Sequence, residues 1–214
     1  MTKVVCISDS HTQLRKAKIP SGDILLHAGD ITDVGDIQDI EQFTWNLKKY
    51  QSVFSAIVVC GGNHDFCFSA DKNKRPTEAE DILKRAGIIY LQDSFTIQKG
   101  LKIYGSPWQP EFCDWNFNLP RGKALADKWA MIPDDTDILL THSPPYGILD
   151  YVNFSHQGCQ DLAYRVKQVK PKLHCYGHLH MNYGIQKEAD TIFVNASLCN
   201  DENYLVNQPI EVEL

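Results

Sequence analysis

The sequence predicts an α/β fold with two packed sheets, and three observations carry that expectation. Short apolar runs, each closed by Gly, Pro, Asp or Asn, recur along the 214 residues. Between them lie stretches whose apolar residues fall three to four apart, so strands and helices alternate in the first half. Shorter strands gather in the second half, which calls for a second sheet. One domain over residues 1–214 is expected, because no repeat, low-complexity tract or composition shift divides the chain.

Taken in order, "VVCIS" (4–8) and "ILLHAG" (24–29) read as buried strands. In "DIQDIEQFTWNLKKY", Ile37, Ile40, Phe43, Leu47 and Tyr50 share one helical face, with Asp36 placed to cap the first free N–H groups. "FSAIVVC" (54–60) is the next strand, followed by a helix from about Thr77 to Ala86. "LKIYG" (101–105), "DILLTH" (137–142) and "TIFVN" (191–195) complete the strand set, with helices expected over Lys123 to Ala130 and Gln160 to Lys170. The longest loop is 106–122, and its Trp108, Phe112, Trp115 and Phe117 are read as burying it against the sheets, with a lid for a nucleobase as the alternative.

Composition narrows the function classes. With 43% hydrophobic and 22% charged residues the chain is of ordinary globular make-up. No apolar run approaches the roughly 18 residues of a membrane span, and Met1, Thr2 and Lys3 lead straight into a strand rather than a secretory signal. Seven scattered cysteines lack any C-x-x-C pair, and Cys6, Cys60 and Cys175 lie within apolar runs, so a reducing, cytoplasmic setting is expected. The formal charge of -6 leaves no basic block for a nucleic-acid backbone, which disfavours polymeric nucleic acid as partner. A small anionic substrate stays open, because bound divalent cations reverse the local field.

The polar residues that end the strands form a series: Asp9 and His11 in "ISDSH", Asp30 and Asp33 in "HAGDITD", Asn63 and His64 in "GGNHD", His142 in "THSPP", and His178 and His180 in "YGHLH". Loops beyond the carboxyl ends of an α/β sheet converge, so these residues can meet. Carboxylate, imidazole and amide oxygen together suit a borderline cation such as Mn, Fe, Zn or Co, whereas thiolates would indicate structural zinc. His27 lies inside an apolar strand and reads as a hydrogen-bonded core residue, with support of a metal ligand as the alternative, and His174 in "KLHCYG" is read the same way. His156 reads as a loop residue, and Cys67 as a spectator.

At these residues the chain resembles the calcineurin-like metallophosphoesterase superfamily, whose signature runs D-x-H, G-D, G-N-H-[E/D], a later His and G-H-x-H. All five blocks occur in order between residues 6 and 180. The resemblance implies a four-layer αββα sandwich, two mixed β-sheets flanked by helices, with a dinuclear metal centre at the strand ends. It implies that Asp9, His11 and His180 hold one divalent cation, that Asn63, His142 and His178 hold the other, and that Asp30 bridges them. His64 would be the proton donor to the leaving oxygen, its tautomer fixed by the Asp33 side chain, and a metal-bridging water the nucleophile.

A narrower resemblance, through "YLQDS", "IYGSPW", "FNLPRG", "DKW" and "PKLH", is to the metallophosphoesterase-domain-containing brain proteins and the class III cyclic nucleotide phosphodiesterases. Some of that group carry glycine in place of the first His of G-H-x-H. Here His178 is present, so a competent second metal site is implied. The expected activity is hydrolysis of small phosphodiesters, cyclic nucleotides foremost. Rival readings are a phosphomonoesterase or nuclease on the same site, or a non-catalytic protein-binding scaffold. A protein Ser/Thr phosphatase is disfavoured because Val34 and Gly35 stand where that branch carries an arginine.

Overall fold

The computed structural model describes residues 1–68 and 77–214. In chain order its strands are β1 (Lys3–Ile7), β2 (Ile24–His27), β3 (Ala56–Val59), β4 (Ile89–Tyr90), β5 (Ser94–Gln98), β6 (Leu101–Ser106), β7 (Gln109–Pro110), β8 (Asn118–Leu119), β9 (Ile138–Thr141), β10 (Tyr151–Val152), β11 (Ser155–His156), β12 (Leu173–Tyr176), β13 (Gly184–Glu188), β14 (Thr191–Asn195) and β15 (Ile210–Glu213). The helices are α1 (Ile37–Leu47), α2 (Glu78–Arg85), α3 (Lys123–Trp129) and α4 (Gln160–Val169). One sheet has the order β15-β1-β2-β3-β4 and the other β13-β14-β12-β9-β6-β5. Both are mixed. Antiparallel β15, β13 and β5 border parallel interiors.

The period-2 alternation of buried strands sorts side chains into layers. Val4, Cys6, Ile24, Leu26 and Val58 meet Ile138, Leu140, Leu173, Cys175 and Val194 between the two sheets. Their sequence neighbours Val5, Ile7, Leu25 and Ile57 share the outer core with Ile40, Phe43 and Leu47 of α1 and with Leu83 of α2. On the other flank, Leu139, Tyr176 and Phe193 lie with Leu125, Trp129, Leu162 and Val166 of α3 and α4. The result is a four-layer sandwich, helices outside two sheets. Truncating a sheet-facing residue such as Leu140 to Ala would cost about 2–5 kcal/mol, through lost transfer energy and a residual cavity.

Differences from the expected elements have local causes. Asp36 makes no side-chain cap; its carbonyl accepts from the Asp39 N–H instead, and a short 3-10 turn over Lys48–Tyr50 ends the segment. Thr77 does cap α2, accepting from Glu80 N–H at 3.3 Å. Five strands outside the expected set, β4, β5, β12, β13 and β15, complete the two sheets.

The sheets are joined where it matters for chemistry. Past β1, the Ser8 N–H donates to the Ala196 carbonyl and the Leu198 N–H to the Ser8 carbonyl, so the chain leaving β1 pairs with the chain leaving β14. Strand ends of both sheets are thereby brought to one edge.

Candidate metal centre

The residues after β1, β2, β3, β9 and β12 meet at that edge. Ligand atoms of Asp9, His11, Asp30 and His180 all lie within 4.8 Å of one another. His180 Nε2 is 3.2 Å from Asp9 Oδ1, and its Nδ1 donates to the Asn200 carbonyl at 2.9 Å. A carbonyl can only accept, so Nδ1 carries the hydrogen and Nε2 is the atom offered to the centre. On the far side of Asp30, His142 Nε2 sits 3.4 Å from Asp30 Oδ2 and 2.8 Å from Asn63 Oδ1. The His142 Nδ1–H is held in the same way, by the Ala28 carbonyl at 2.8 Å. The His178 ring packs edge-on to His142 with centroids 5.0 Å apart. Asp30 therefore stands between two groups of donors.

The donor set fits divalent cations on an observation of the fold itself. His11 is fully buried, yet neither ring nitrogen has a hydrogen-bond partner; Asp33 Oδ1 at 3.2 Å from Nδ1 is out of line for one. An orphaned imidazole facing two carboxylates is what a cation would satisfy. Burial raises the Asp9 carboxyl, but the charges of His180, His142 and His11 outweigh it and hold that group well below the carboxylate range. For His142, burial is likewise overcome, by Asp30, and the ring is pushed up to about 9. His180 also rises to about 9, with Asp9 overriding its burial. By contrast His178 is lowered to about 3, by burial and the neighbouring His142.

The loops that deliver these groups are shaped for close approach. Asp9, His11, Asp30 and His178 all have positive φ, a strained conformation that clusters at functional sites. A Cβ at Gly62 would fall 2.2 Å from Asp30 Oδ1, and one at Gly177 would fall 1.9 Å from Asp9 Oδ2, so both positions exclude every side chain. Ser197 Oγ donates to Asp9 Oδ2 at 2.8 Å, and the His178 N–H approaches both oxygens at 3.1 Å. Asp65 ties two loops together: its carboxylate accepts from the N–H groups of Gly62 (2.9 Å), Ile31 (3.3 Å) and Thr32 (2.9 Å).

His64 borders the cluster. Its N–H donates to Asp30 Oδ1 at 2.8 Å, and its ring meets His11 edge-on with centroids 4.8 Å apart. One expectation is corrected here: the group that fixes the His64 ring is the main-chain carbonyl of Asp33, 2.7 Å from Nδ1, and not the Asp33 carboxylate. That carboxylate turns instead toward His11 Nδ1. The buried His11 ring draws the carboxylate to its own side, which leaves the main-chain carbonyl to meet His64.

All nine predicted site residues thus fall in one neighbourhood. Ser197, Asn116 and the Ala28 and Asn200 carbonyls were not foreseen, and only Asp65, the last residue of the G-N-H-D block, carried a signal. His27 and His174 are buried core residues as expected: His27 accepts from Gly29 N–H at 3.3 Å and meets Ser10 Oγ at 3.0 Å, while His174 Nε2 meets Thr141 Oγ1 at 2.8 Å. His156 lies in β11 and pairs with Asp150 at 2.6 Å. Of the loop aromatics, Trp108 and Phe117 are buried, Phe112 is exposed, and Trp115 lies over His64. Cys6, Cys60 and Cys175 are buried free thiols. Among the described residues no helix is long and apolar enough to cross a membrane.

Comparison with known proteins identifies the family. The family model described as Calcineurin-like phosphoesterase matches residues 2–182. Metallophosphoesterase domain-containing protein 1 of Homo sapiens is 40% identical over 233 residues, covering 100% of this chain and 71% of its own length. A UPF0046 protein of Caenorhabditis elegans is 35% identical, covering 97% of this chain and 73% of its own. Among solved structures, phosphopantetheinyl hydrolase from Mycobacterium tuberculosis superposes with a TM-score of 0.61 at 15% identity, over 94% of this chain and 90% of that one. A purple acid phosphatase from yellow lupin seeds gives a TM-score of 0.54 at 16% identity, over 91% of this chain and 43% of that one. At such identities these two structures speak for the fold alone. The family match and the relatives of higher identity, together with the Asp/His cluster at the strand ends, establish that the chain belongs to the calcineurin-like phosphoesterase family.

Proposed function

We propose that the protein is a phosphodiesterase of small phosphate esters, with cyclic nucleotides the favoured substrates, working with two divalent cations (Mn, Fe, Zn or Co). The observation that carries this reading is the meeting of Asp9, His11, Asp30 and His180 donors within 4.8 Å, with His64 beside them. In this reading Asp9, His11 and His180 would hold one cation and Asn63, His142 and His178 the other, with Asp30 available to both. When bound, such cations neutralise phosphoryl charge and bring the pKa of water to about 7.

The chain's own residues supply positioning and a proton. His64 acts as general acid: the Asp33 carbonyl accepts from its Nδ1–H, which leaves Nε2 as the nitrogen that passes a proton to the departing alkoxide. Asn63 contributes a neutral oxygen, which leaves its cation more electrophilic than a further carboxylate would. Asp65 holds the backbone just after Asp30, and Ser197 holds the Asp9 carboxylate. The acidic balance, -6 overall, favours small esters over polymeric nucleic acid, and seven free cysteines suit a reducing compartment such as the cytoplasm.

The test is a panel on metal-reconstituted protein: bis-p-nitrophenyl phosphate, p-nitrophenyl phosphate, 2',3'- and 3',5'-cyclic nucleotides, and a short oligonucleotide. Highest kcat/KM on a cyclic nucleotide supports the reading; preference for the monoester or the oligonucleotide moves the assignment to a phosphomonoesterase or nuclease, and no turnover at all to a scaffold. His64→Ala should keep its metals yet slow alkyl esters by about 100- to 10,000-fold, the usual contribution of a general acid. Equal loss on p-nitrophenyl and alkyl leaving groups would argue against the role.

A further inference from the structure

The segment that follows β7 does more than bury itself. Asn116 is bonded to the loop after β3 at three points: its N–H donates to the Asn63 carbonyl at 3.2 Å, and its Nδ2 donates to the carbonyls of Asp65 at 2.9 Å and Phe68 at 3.0 Å. Its Oδ1 in turn accepts from the Phe117 N–H at 3.0 Å. Behind this clamp the Phe117 ring fills the space against Gly61, where a Cβ would meet it at 2.9 Å. The residue just before the clamp is the half-buried Trp115, whose ring lies over the His64 imidazole at a centroid distance of 4.2 Å and an interplanar angle of 34°. Phe66 supports the indole from another side at 5.8 Å.

His64 is therefore held on three sides by unrelated parts of the chain: the Asp33 carbonyl at Nδ1, His11 at its edge and Trp115 across its face. The Asp33 contact alone leaves the ring free to pivot about the Nδ1 hydrogen bond, and a wall across one face removes that freedom. We propose that Trp115, anchored by Asn116, is a positioning residue that aims Nε2 of His64 at the leaving oxygen. The inference rests on the general-acid reading of His64, but the contact it describes can be measured apart from turnover. Proton donation is sensitive to aim, since a displacement near 1 Å can cost about 100-fold.

The experiment uses full-length, metal-loaded protein and the variants Trp115→Ala, Trp115→Phe, His64→Ala and the Trp115→Ala/His64→Ala double. Trp115→Ala should lower kcat on alkyl phosphodiesters by about 10- to 100-fold while p-nitrophenyl esters, which need little proton assistance, fall less than about threefold. Trp115→Phe should recover most of the loss. In the double variant the alkyl deficit should equal that of His64→Ala alone, because a positioning residue has nothing left to position. Independently of activity, loss of the indole ring current should move the His64 ring-proton resonances downfield in Trp115→Ala, with metal content unchanged. Equal losses on both leaving groups, additive losses in the double variant, or unmoved His64 resonances would each overturn the proposal. A leaving-group-independent loss in His64→Ala itself would instead strike the general-acid reading, which separates the two failures; should Trp115→Ala fail to fold, Trp115→Phe carries the resonance test.

Discussion

Loading the centre with metal should expel protons, and the geometry says how many. Cation binding requires neutral imidazoles, so every ring protonated in the metal-free protein must give one up. His142 and His180 are both raised to about 9, each by a facing carboxylate that outweighs its burial, so at pH 7.5 both carry nearly a full proton. His178, lowered to about 3, is already neutral and contributes none. Asp9 and Asp30 are held below the carboxylate range and are already ionised. For His11 too, burial is outweighed by the facing carboxylates of Asp33, Asp30 and Asp9, and the ring is raised. At least about two protons should therefore leave per chain on filling both sites. The sign follows: falling pH returns protons to the ligands and weakens binding, by about tenfold per pH unit at each site between pH 6 and 8 and about 100-fold for filling both, since each displaced proton contributes tenfold. Titration calorimetry of the metal-free protein with Mn or Zn in two buffers of different ionisation enthalpy reads the proton count directly. Release of less than about half a proton, or an affinity flat from pH 6 to 8, would refute the reasoning.

Other perturbations follow from the same contacts. Asp30→Ala removes the oxygens that stand between the two donor groups, so elemental analysis should find both cations depleted while the far-UV CD spectrum persists. Gly177→Ala places a Cβ 1.9 Å from Asp9 Oδ2 and must displace that carboxylate, so metal affinity should fall at least about tenfold, as measured by competition with a chelator. His174 is lowered to about 3 by burial, so below its unfolded value of about 6.5 the unfolded chain takes a proton that the native ring refuses. Stability is thus lost as pH falls from about 6.5 toward about 3, and His174→Phe should flatten the slope of unfolding free energy against pH by about 1.4 kcal/mol per unit, read from urea midpoints. An unchanged slope would show that the ring titrates normally.

The parts of the fold legible in the sequence are those whose side chains face apolar surroundings on both sides. Strands β1, β2, β3 and β9 lie in the sheet interiors, and each carries an apolar run broken, if at all, only at a strand end, by Lys3, His27 or Thr141. β12, "LHCY", sits just as deep, but His174 interrupts its pattern, and only the hydrogen bond to Thr141 makes that histidine tolerable. Edge strands β5, β13 and β15 alternate exposed and covered residues over five or fewer positions, too short a period-2 signal to separate from a loop. The Asp/His cluster was legible because a metal-binding reading dictates side-chain types at each strand end. What holds it was less so: carbonyls of Ala28, Asn200 and Asp33 orient the imidazoles, and a backbone carbonyl leaves no mark in a sequence. Trp115 was visible as an aromatic in a long loop, but its target depended on how Asn116 fastens that loop to residues 48 to 53 positions earlier.

The claim beneath all of this is that loops far apart in the chain cradle a pair of cations around Asp30. Anomalous diffraction from crystals of the metal-reconstituted protein, collected at the absorption edge of the added metal, addresses it most directly. The account predicts two peaks per chain, one among Asp9, His11 and His180 and one among Asn63, His142 and His178, with Asp30 contacting both. A single peak, or a pair located away from these residues, would contradict it.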